Sequence, residues 1–221
     1  RERLHVGDGD RQYLTGLKVG GRRILFLVDA SASMLGSTIV DVIRRRNLPD
    51  TDKVRAAKWQ QALATVDWLT TQIPRDSQFQ IYTFNTRTGP VVENGGAVWL
   101  DGSDREALNA AVGALRDVVP GQGTSLFNAF ATAAAMRPRP DNVILLTDGL
   151  PTVGDRPATS RTISSKQRVR LFKRAVDQLP ARVPVNVILY PMEGDPMAAS
   201  ELWKLAIATR GSFMSLSKDW P

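Results

Sequence analysis

The chain of 221 residues contains no cysteine and a single histidine, His5, close to its first residue. The absence of cysteine excludes disulfide bonds, zinc–thiolate sites and thiol nucleophiles. A serine hydrolase of the Ser-His-Asp type would have to use His5 as its base, and the sequence contains no Gly-x-Ser-x-Gly nucleophile turn. The sequence therefore offers no support for any of these chemistries.

The chain also lacks a long hydrophobic run, since no segment approaches the roughly 20 apolar residues of a membrane-spanning helix. Because the first residue is Arg rather than Met, we expect this to be a piece of a longer or processed protein. A signal or an anchor to the cell envelope would then lie outside the piece, and no compartment is indicated. The length and the 43% hydrophobic content suit one domain with a substantial core, which we expect to be monomeric.

Basic residues outnumber acidic ones, and the formal net charge is +7 at pH 7. The excess is clustered, most densely in Arg44, Arg45 and Arg46 and again in residues 161–174. Such clusters suit an acidic partner, anionic lipid or nucleic acid, and the simpler alternative is a set of solvated helix surfaces. No RNA-binding aromatic motif or zinc finger accompanies them, so nucleic acid is not the expected partner.

Strand-like and helix-like patterns alternate along the chain. The segment 24–29, apolar up to its final residue Asp29, and the apolar run 143–146 are typical of central strands covered on both faces. Residues 97–100 are predicted to be a short edge strand. Capping residues predict where three of the helices begin: Asp52, Ser103 with Glu106, and Ser164 with Gln167. This alternation predicts an α/β fold with a mostly parallel central sheet and helices on both faces.

Oxygen-donor side chains occupy three loops that leave the carboxyl ends of predicted strands. The first loop carries Asp29, Ser31 and Ser33, the second carries Thr124, and the third carries Asp148. In an open α/β sheet, ligands bind beyond the carboxyl ends of the strands. A set of hydroxyl and carboxylate oxygens without nitrogen or sulfur donors suits a hard divalent cation.

Each of these residues also has a purely structural interpretation. Asp29 or Thr124 could cap a helix, Ser31 and Ser33 could be turn hydroxyls, and Asp148 with its following glycine is a common turn. Taken singly, each structural interpretation is the simpler one. The combination of all five at the same end of one sheet favours a metal site over coincidence.

The five residues resemble the metal-ion-dependent adhesion site of the von Willebrand factor A-type domain family. The match comprises the Asp-x-Ser-x-Ser spacing of 29–33, then Thr124, then the Thr-Asp-Gly sequence around Asp148, in the family's order. The resemblance covers roughly residues 22–217. It implies a Rossmann-like, doubly wound sheet with one short antiparallel edge strand. We therefore expect a domain over 22–221, preceded by a less regular lead-in or linker over 1–21.

The resemblance also implies a role for each side chain. Ser31 and Ser33 would bind the metal directly, Thr124 directly or through water, and Asp29 and Asp148 mainly through water. A metal that is only partly neutralised keeps its attraction for an incoming acidic group. The expected cofactor is Mg²⁺, with Mn²⁺ or Ca²⁺ as alternatives.

Residues 35–51 depart from compact members of the family, which enter the next helix within a few residues of the serines. This insertion would emerge at the metal face, either as a short amphipathic helix that supplies selectivity, as a lid, or as a passive elaboration. A second insertion, 153–162, follows the Asp148 loop near the same face. Within the first insertion, Arg44, Arg45 and Arg46 are candidate partner-binding residues.

The leading hypothesis is a protein-binding module, in which an acidic residue of a partner protein binds through the divalent cation. No catalysis is predicted, because no general base stands beside a nucleophile. One alternative is metal-assisted phosphoryl transfer. The phosphatase pattern needs a second acid two residues after Asp29, however, where Ser31 stands, and no Walker-type phosphate loop is present.

A second alternative is an RNA-associated A-type module, such as the one found in Ro ribonucleoproteins. The arginine clusters favour this alternative, and the lack of a base-stacking aromatic platform disfavours it. A steep salt dependence of nucleic-acid affinity would distinguish it from the leading hypothesis.

Overall fold

A computed structural model describes residues 16–17, 19–93, 98–155 and 163–216. Those residues form a seven-stranded sheet. Its strands in chain order are β1 (Arg23–Asp29), β2 (Gln78–Phe84), β3 (Thr88–Pro90), β4 (Leu100–Asp101), β5 (Asn142–Thr147), β6 (Val185–Leu189) and β7 (Phe213–Ser215). Within the described residues, no helix has the length and apolar character needed to cross a membrane.

The sheet is mostly parallel, with the order β3-β2-β1-β5-β6-β7 and with β4 also paired to β2. β1 lies at the centre, parallel to both β2 and β5, and β6 and β7 continue the parallel run. β3 and β4 are both antiparallel to β2. The predicted doubly wound α/β class is therefore confirmed, with an antiparallel edge of two short strands. The predicted edge strand at 97–100 begins instead at Leu100, and residue 97 lies outside the described residues.

Helices connect the strands and cover both faces of the sheet. A 3₁₀ turn (Ala32–Leu35) follows β1. The helices in chain order are α1 (Ile39–Arg45), α2 (Asp50–Lys53), α3 (Ala57–Thr70), α4 (Arg105–Arg116), α5 (Leu126–Ala135), α6 (Ser165–Val176) and α7 (Ala198–Ala208).

The core lies in two layers, one on each face of the sheet, and β1 contributes to both. Ile24, Phe26 and Val28 pack in the layer that includes α3 and α4. Leu25 and Leu27 pack in the layer formed with α5, α6 and α7. Since successive side chains of a strand point to opposite faces, a strand buried on both faces must be apolar throughout. This explains the continuous apolar run of β1.

The helix predicted to begin at Asp52 is two helices. Asp52 lies inside the short α2, and α3 begins at Ala57 without a side-chain cap. No glycine or proline separates the two helices, so the sequence contains no breaker at the point where the chain turns.

The other two capping predictions have different outcomes. Asp104, not Ser103, caps α4 by accepting hydrogen bonds from the amides of Glu106 and Ala107, while Ser103 bonds to the carboxylate of Asp101. A carboxylate placed next to the first turn outcompetes a hydroxyl one residue earlier. The predicted capping box of Ser164 and Gln167 at the start of α6 is confirmed.

The described part of the lead-in packs against the domain. Leu17 and Val19 are buried in the same core layer as Ile24. The side chain of Asn142 donates a hydrogen bond of 2.7 Å to the carbonyl of Gly20. Residues 1–15 lie outside the described residues, and the domain boundary at residue 22 stays a prediction.

Candidate metal site

The carboxylate of Asp29, the last residue of β1, is fully buried and fixed by two hydrogen bonds. Its Oδ1 accepts from the amide of Ser31 at 2.9 Å, which closes the turn after the strand. Its Oδ2 accepts from the hydroxyl of Thr147 at 2.8 Å. Because β1 and β5 are parallel neighbours, Thr147 at the end of β5 lies beside the end of β1. The sheet register therefore brings the first and third loops together.

A chain of hydroxyl hydrogen bonds connects these two loops above Asp29. The hydroxyl of Ser33 donates to Oδ1 of Asp148 at 2.9 Å, and the hydroxyl oxygens of Ser31 and Ser33 are 2.9 Å apart. Since Ser33 has one hydroxyl hydrogen and directs it at Asp148, Ser31 must be the donor to Ser33. Four of the five predicted ligands therefore lie together at the carboxyl end of the sheet.

Thr124, the fifth predicted ligand, is buried just before α5 and is fixed through its backbone. Its amide donates to the hydroxyl of Thr152 at 3.0 Å, and its carbonyl accepts from the amides of Thr152 and Val153 at 2.9 and 3.0 Å. The amide of Ala32 also donates to the carbonyl of Gln122 at 2.9 Å. The three loops are thus joined to one another, although among the described contacts the Thr124 hydroxyl is not part of the serine–aspartate chain.

The environment of Asp29 disfavours its negative charge. Burial, and secondly the negative charge of Asp148, raise the pKa of Asp29 from 3.8 to about 7, against the hydrogen bonds from Ser31 and Thr147 that lower it. Two carboxylates that interact in this way leave a local excess of negative charge, which a cation relieves.

The sequence interpretation missed Lys58, whose ammonium group lies at the same site. Lys58 is in the first turn of α3, its side chain is 5% exposed, and its Nζ lies 2.6 Å from Oδ2 of Asp148. Nζ also donates to the carbonyls of Gly36 at 3.1 Å and Ser33 at 3.3 Å. The sequence did contain a signal for this position: Lys58 lies one helical turn before Ala62, so it is a charged residue on the apolar side of α3.

Asp195, in the loop between β6 and α7, supports the loop after Asp148. Its Oδ2 accepts from the amide of Leu150 at 2.7 Å and pairs with Arg168 at 2.9 Å, while α7 begins three residues later. A Cβ on Gly149 would lie 2.6 Å from this oxygen, so a larger residue there would force the Asp195 carboxylate to move. Burial raises the pKa of Asp195; Leu150 and Arg168 oppose this effect and Asp148 adds to it.

The insertion at 35–51 contains the predicted short amphipathic helix, α1, and its apolar side is open to solvent. Ile39, Val40 and Ile43 are 50%, 55% and 51% exposed, and we call these three residues the α1 surface. The loop after β6 supports the insertion, since the amide of Glu193 donates to the carbonyl of Ser37 at 3.0 Å.

The three candidate partner-binding arginines lie at the end of α1. Arg44 and Arg46 are exposed and Arg45 is partly exposed. They adjoin the α1 surface, so cationic and apolar side chains are presented together. Of the second insertion, 153–162, only Val153–Asp155 is described, and residues 156–162 lie outside the described residues.

The donor set fits a hard divalent cation. The side chains that converge offer carboxylate oxygens from Asp29 and Asp148 and hydroxyl oxygens from Ser31 and Ser33. Within the described residues, no group of three or more histidine, aspartate or glutamate side chains is arranged so that it could hold a metal ion by itself. A cation at this site would therefore depend on hydroxyl groups and water for much of its coordination, as Mg²⁺ readily does.

The sequence profile of the von Willebrand factor type A domain matches residues 24–150, more than half of the chain. The chain therefore belongs to the von Willebrand factor A-type domain family, a family of protein-interaction and adhesion modules. A comparison with curated proteins found no match.

Solved structures of the same fold come from several bacteria. A von Willebrand factor type A protein from Catenulispora acidiphila is 20% identical with a TM-score of 0.55, and the match covers 90% of this chain and 39% of that one. The PilB minor pilin from Streptococcus sanguinis is 13% identical with a TM-score of 0.55, covering 89% and 57%. BatB from Bacteroides thetaiotaomicron is 14% identical with a TM-score of 0.53, covering 89% and 91%. The chain thus spans less than two thirds of the first two proteins and nearly all of the third.

Proposed function

We propose that this domain is a protein-binding module that holds a divalent cation at Asp29, Ser31, Ser33, Thr124 and Asp148 and binds an acidic residue of a partner protein through it. Mg²⁺ is the expected cation, with Mn²⁺ or Ca²⁺ as alternatives. When bound, such a cation supplies a coordination position that a carboxylate oxygen can fill. The observation that carries the proposal is the hydrogen-bonded chain from Ser31 through Ser33 to Asp148.

The surroundings of the site support a protein partner. The α1 surface and Arg44, Arg45 and Arg46 lie on the insertion that begins directly after the serine loop. Protein interfaces combine apolar contacts with arginine, and cationic side chains steer acidic partners to a site. An acidic segment with apolar side chains therefore matches this face.

We also infer that the site is not catalytic. The phosphatase pattern requires a second acid two residues after Asp29. That position is Ser31, whose hydroxyl donates to Ser33. A phosphate-release assay with Mg²⁺ and phosphomonoesters should give no turnover. Turnover that the Ser33→Ala variant loses would favour the phosphoryl-transfer alternative instead.

The binding role is tested with a random peptide library displayed on phage. Phage that bind the domain in Mg²⁺ are selected and then eluted with EDTA. We expect the eluted peptides to carry Asp or Glu and to lose binding when that residue is changed to Asn or Gln. The Ser33→Ala variant should capture none of them. The Ser103→Ala variant is a matched control, because Ser103 lies beside Asp101 at the opposite end of the sheet. Peptides that bind equally in EDTA would contradict the proposal.

A further inference from the structure

The ammonium group of Lys58 is enclosed by acceptors from three segments. Besides Asp148 Oδ2 at 2.6 Å and the carbonyls of Ser33 and Gly36, it lies 3.7 Å from the sulfur of Met192 in the loop after β6. A buried ammonium group is strongly disfavoured unless it is paired and hydrogen-bonded. This pairing uses one oxygen of Asp148, while Ser33 uses the other.

The ion pair changes the charge that a metal would meet. Asp29 and Asp148 can supply two negative charges, and Lys58 places one positive charge against them within hydrogen-bonding distance of Asp148. A divalent cation that shares Asp148 with Lys58 would be repelled by the ammonium group, and the burial of both side chains, which are 5% and 3% exposed, weakens the screening of that repulsion by solvent. The same ammonium group supports the serine loop through the carbonyl of Ser33.

We propose that Lys58 is a built-in competitor of the metal: its ammonium group occupies Asp148, lowers the affinity of the site for a divalent cation, and holds the loops in place without one. The proposal rests on the proposed metal site. It predicts a site that fills only at high metal concentration and a domain whose fold does not depend on metal.

The experiment compares Mn²⁺ affinity in the wild type and in Lys58→Gln, by calorimetry and by paramagnetic resonance of free Mn²⁺. Glutamine can still donate hydrogen bonds but carries no charge. We expect the variant to bind Mn²⁺ about tenfold or more tightly than the wild type. Lys58→Arg, which keeps the charge, should retain weak binding. Lys204→Gln is the matched control, because it removes one charge from an exposed lysine that pairs with Glu201 on α7, away from the site.

Each outcome separates this proposal from the proposed metal site. If the wild type binds Mn²⁺ and Lys58→Gln binds it equally or more weakly, the competition is refuted and the metal site stands. If only the variant binds, Lys58 blocks the site, and the metal-dependent function of the wild type is refuted. If neither binds, both proposals fail.

Stability gives a second measurement that remains informative if the variant folds poorly. In EDTA, Lys58→Gln should melt at a lower temperature than the wild type, because Asp148 loses its buried counter-charge. Saturating Mn²⁺ should restore the melting temperature of Lys58→Gln and change that of the wild type much less. A loss of stability that Mn²⁺ does not restore would show that Lys58 is a structural residue and would overturn the competition.

Discussion

Two carboxylates and one ammonium group govern the electrostatics of the site. Asp29 is buried and feels the negative charge of Asp148, while Lys58 compensates Asp148 from the other side. The serine hydroxyls are neutral, so they add donor oxygens without adding charge. We therefore expect any metal affinity to be weak, because a cation would gain little direct charge neutralisation from such a site.

We predict that the domain binds one Mg²⁺ or Mn²⁺ ion weakly and that Asp29→Ala and Ser33→Ala each abolish the binding. Asp29→Ala removes a carboxylate, and Ser33→Ala removes the hydroxyl that joins Ser31 to Asp148. Titration calorimetry measures both effects, with Ser103→Ala as the control. Normal binding by both variants would show that the site has been assigned to the wrong residues.

At the scale of elements, α1 is an exposed helix that closely follows the serine loop. Its N-cap, Thr38, accepts from the amide of Asp41, and its last turn carries Arg44 and Arg45. Cationic side chains in the last turn are favourable, since they oppose the negative end of the helix dipole. The local sequence therefore explains why the helix forms, although its apolar side contributes little burial.

Replacing Arg44, Arg45 and Arg46 together by Gln should slow the association of an EDTA-eluted acidic peptide and reduce its salt dependence. The reason is that these exposed charges act on the approach of the partner, while metal affinity depends on the side chains of the site. Surface plasmon resonance at several salt concentrations measures both quantities.

The matched control for the triple arginine variant removes three positive charges at the other end of the sheet. Arg22, Arg75 and Arg105 are exposed and lie near the amino ends of the parallel strands or beside β4, and their replacement by Gln should leave the association rate nearly unchanged. An unchanged rate and salt slope in the α1 variant would mean that its arginines are solvated surface. Selectivity would then have to come from elsewhere on the metal face, with 153–162 as the next candidate.

At the scale of the whole molecule, we expect stability and metal binding to depend on different residues. Leu27 is fully buried in a strand that lies between two core layers. Ser33 is partly exposed and lies in a loop at the end of the sheet. A change in the core removes packing that the rest of the domain depends on, whereas a change in the loop does not.

Leu27→Ala should lower the free energy of unfolding by about 2–5 kcal/mol because it leaves a cavity in the core. Ser33→Ala should cost about 1 kcal/mol or less, as expected for one hydrogen-bonded hydroxyl that is partly solvated. Urea denaturation in EDTA measures both losses without a contribution from metal. A loss in Ser33→Ala as large as that in Leu27→Ala would show that the serine loop is part of the folding core. Because Asp29 is fully buried, we expect Asp29→Ala to lower the free energy of unfolding by more than Ser33→Ala does.

The amino-acid sequence by itself determined the fold class and the place of the site. Apolar runs such as 24–28 identify central strands, and parallel strands bring their carboxyl ends to one edge. Asp29, Ser31, Ser33 and Asp148 could therefore be placed together from spacing alone. Metal binding by them stays a prediction.

Only the tertiary structure decided which side chains face the site from elsewhere in the chain. Lys58 lies 90 residues from Asp148 in the sequence, and their pairing depends on how α3 packs beside the sheet. The exposure of the α1 surface is likewise decided by the tertiary structure, because it depends on which other segments pack against the helix. Local patterns report which face of a helix is apolar, whereas burial and charge pairing depend on distant segments, which no local pattern contains.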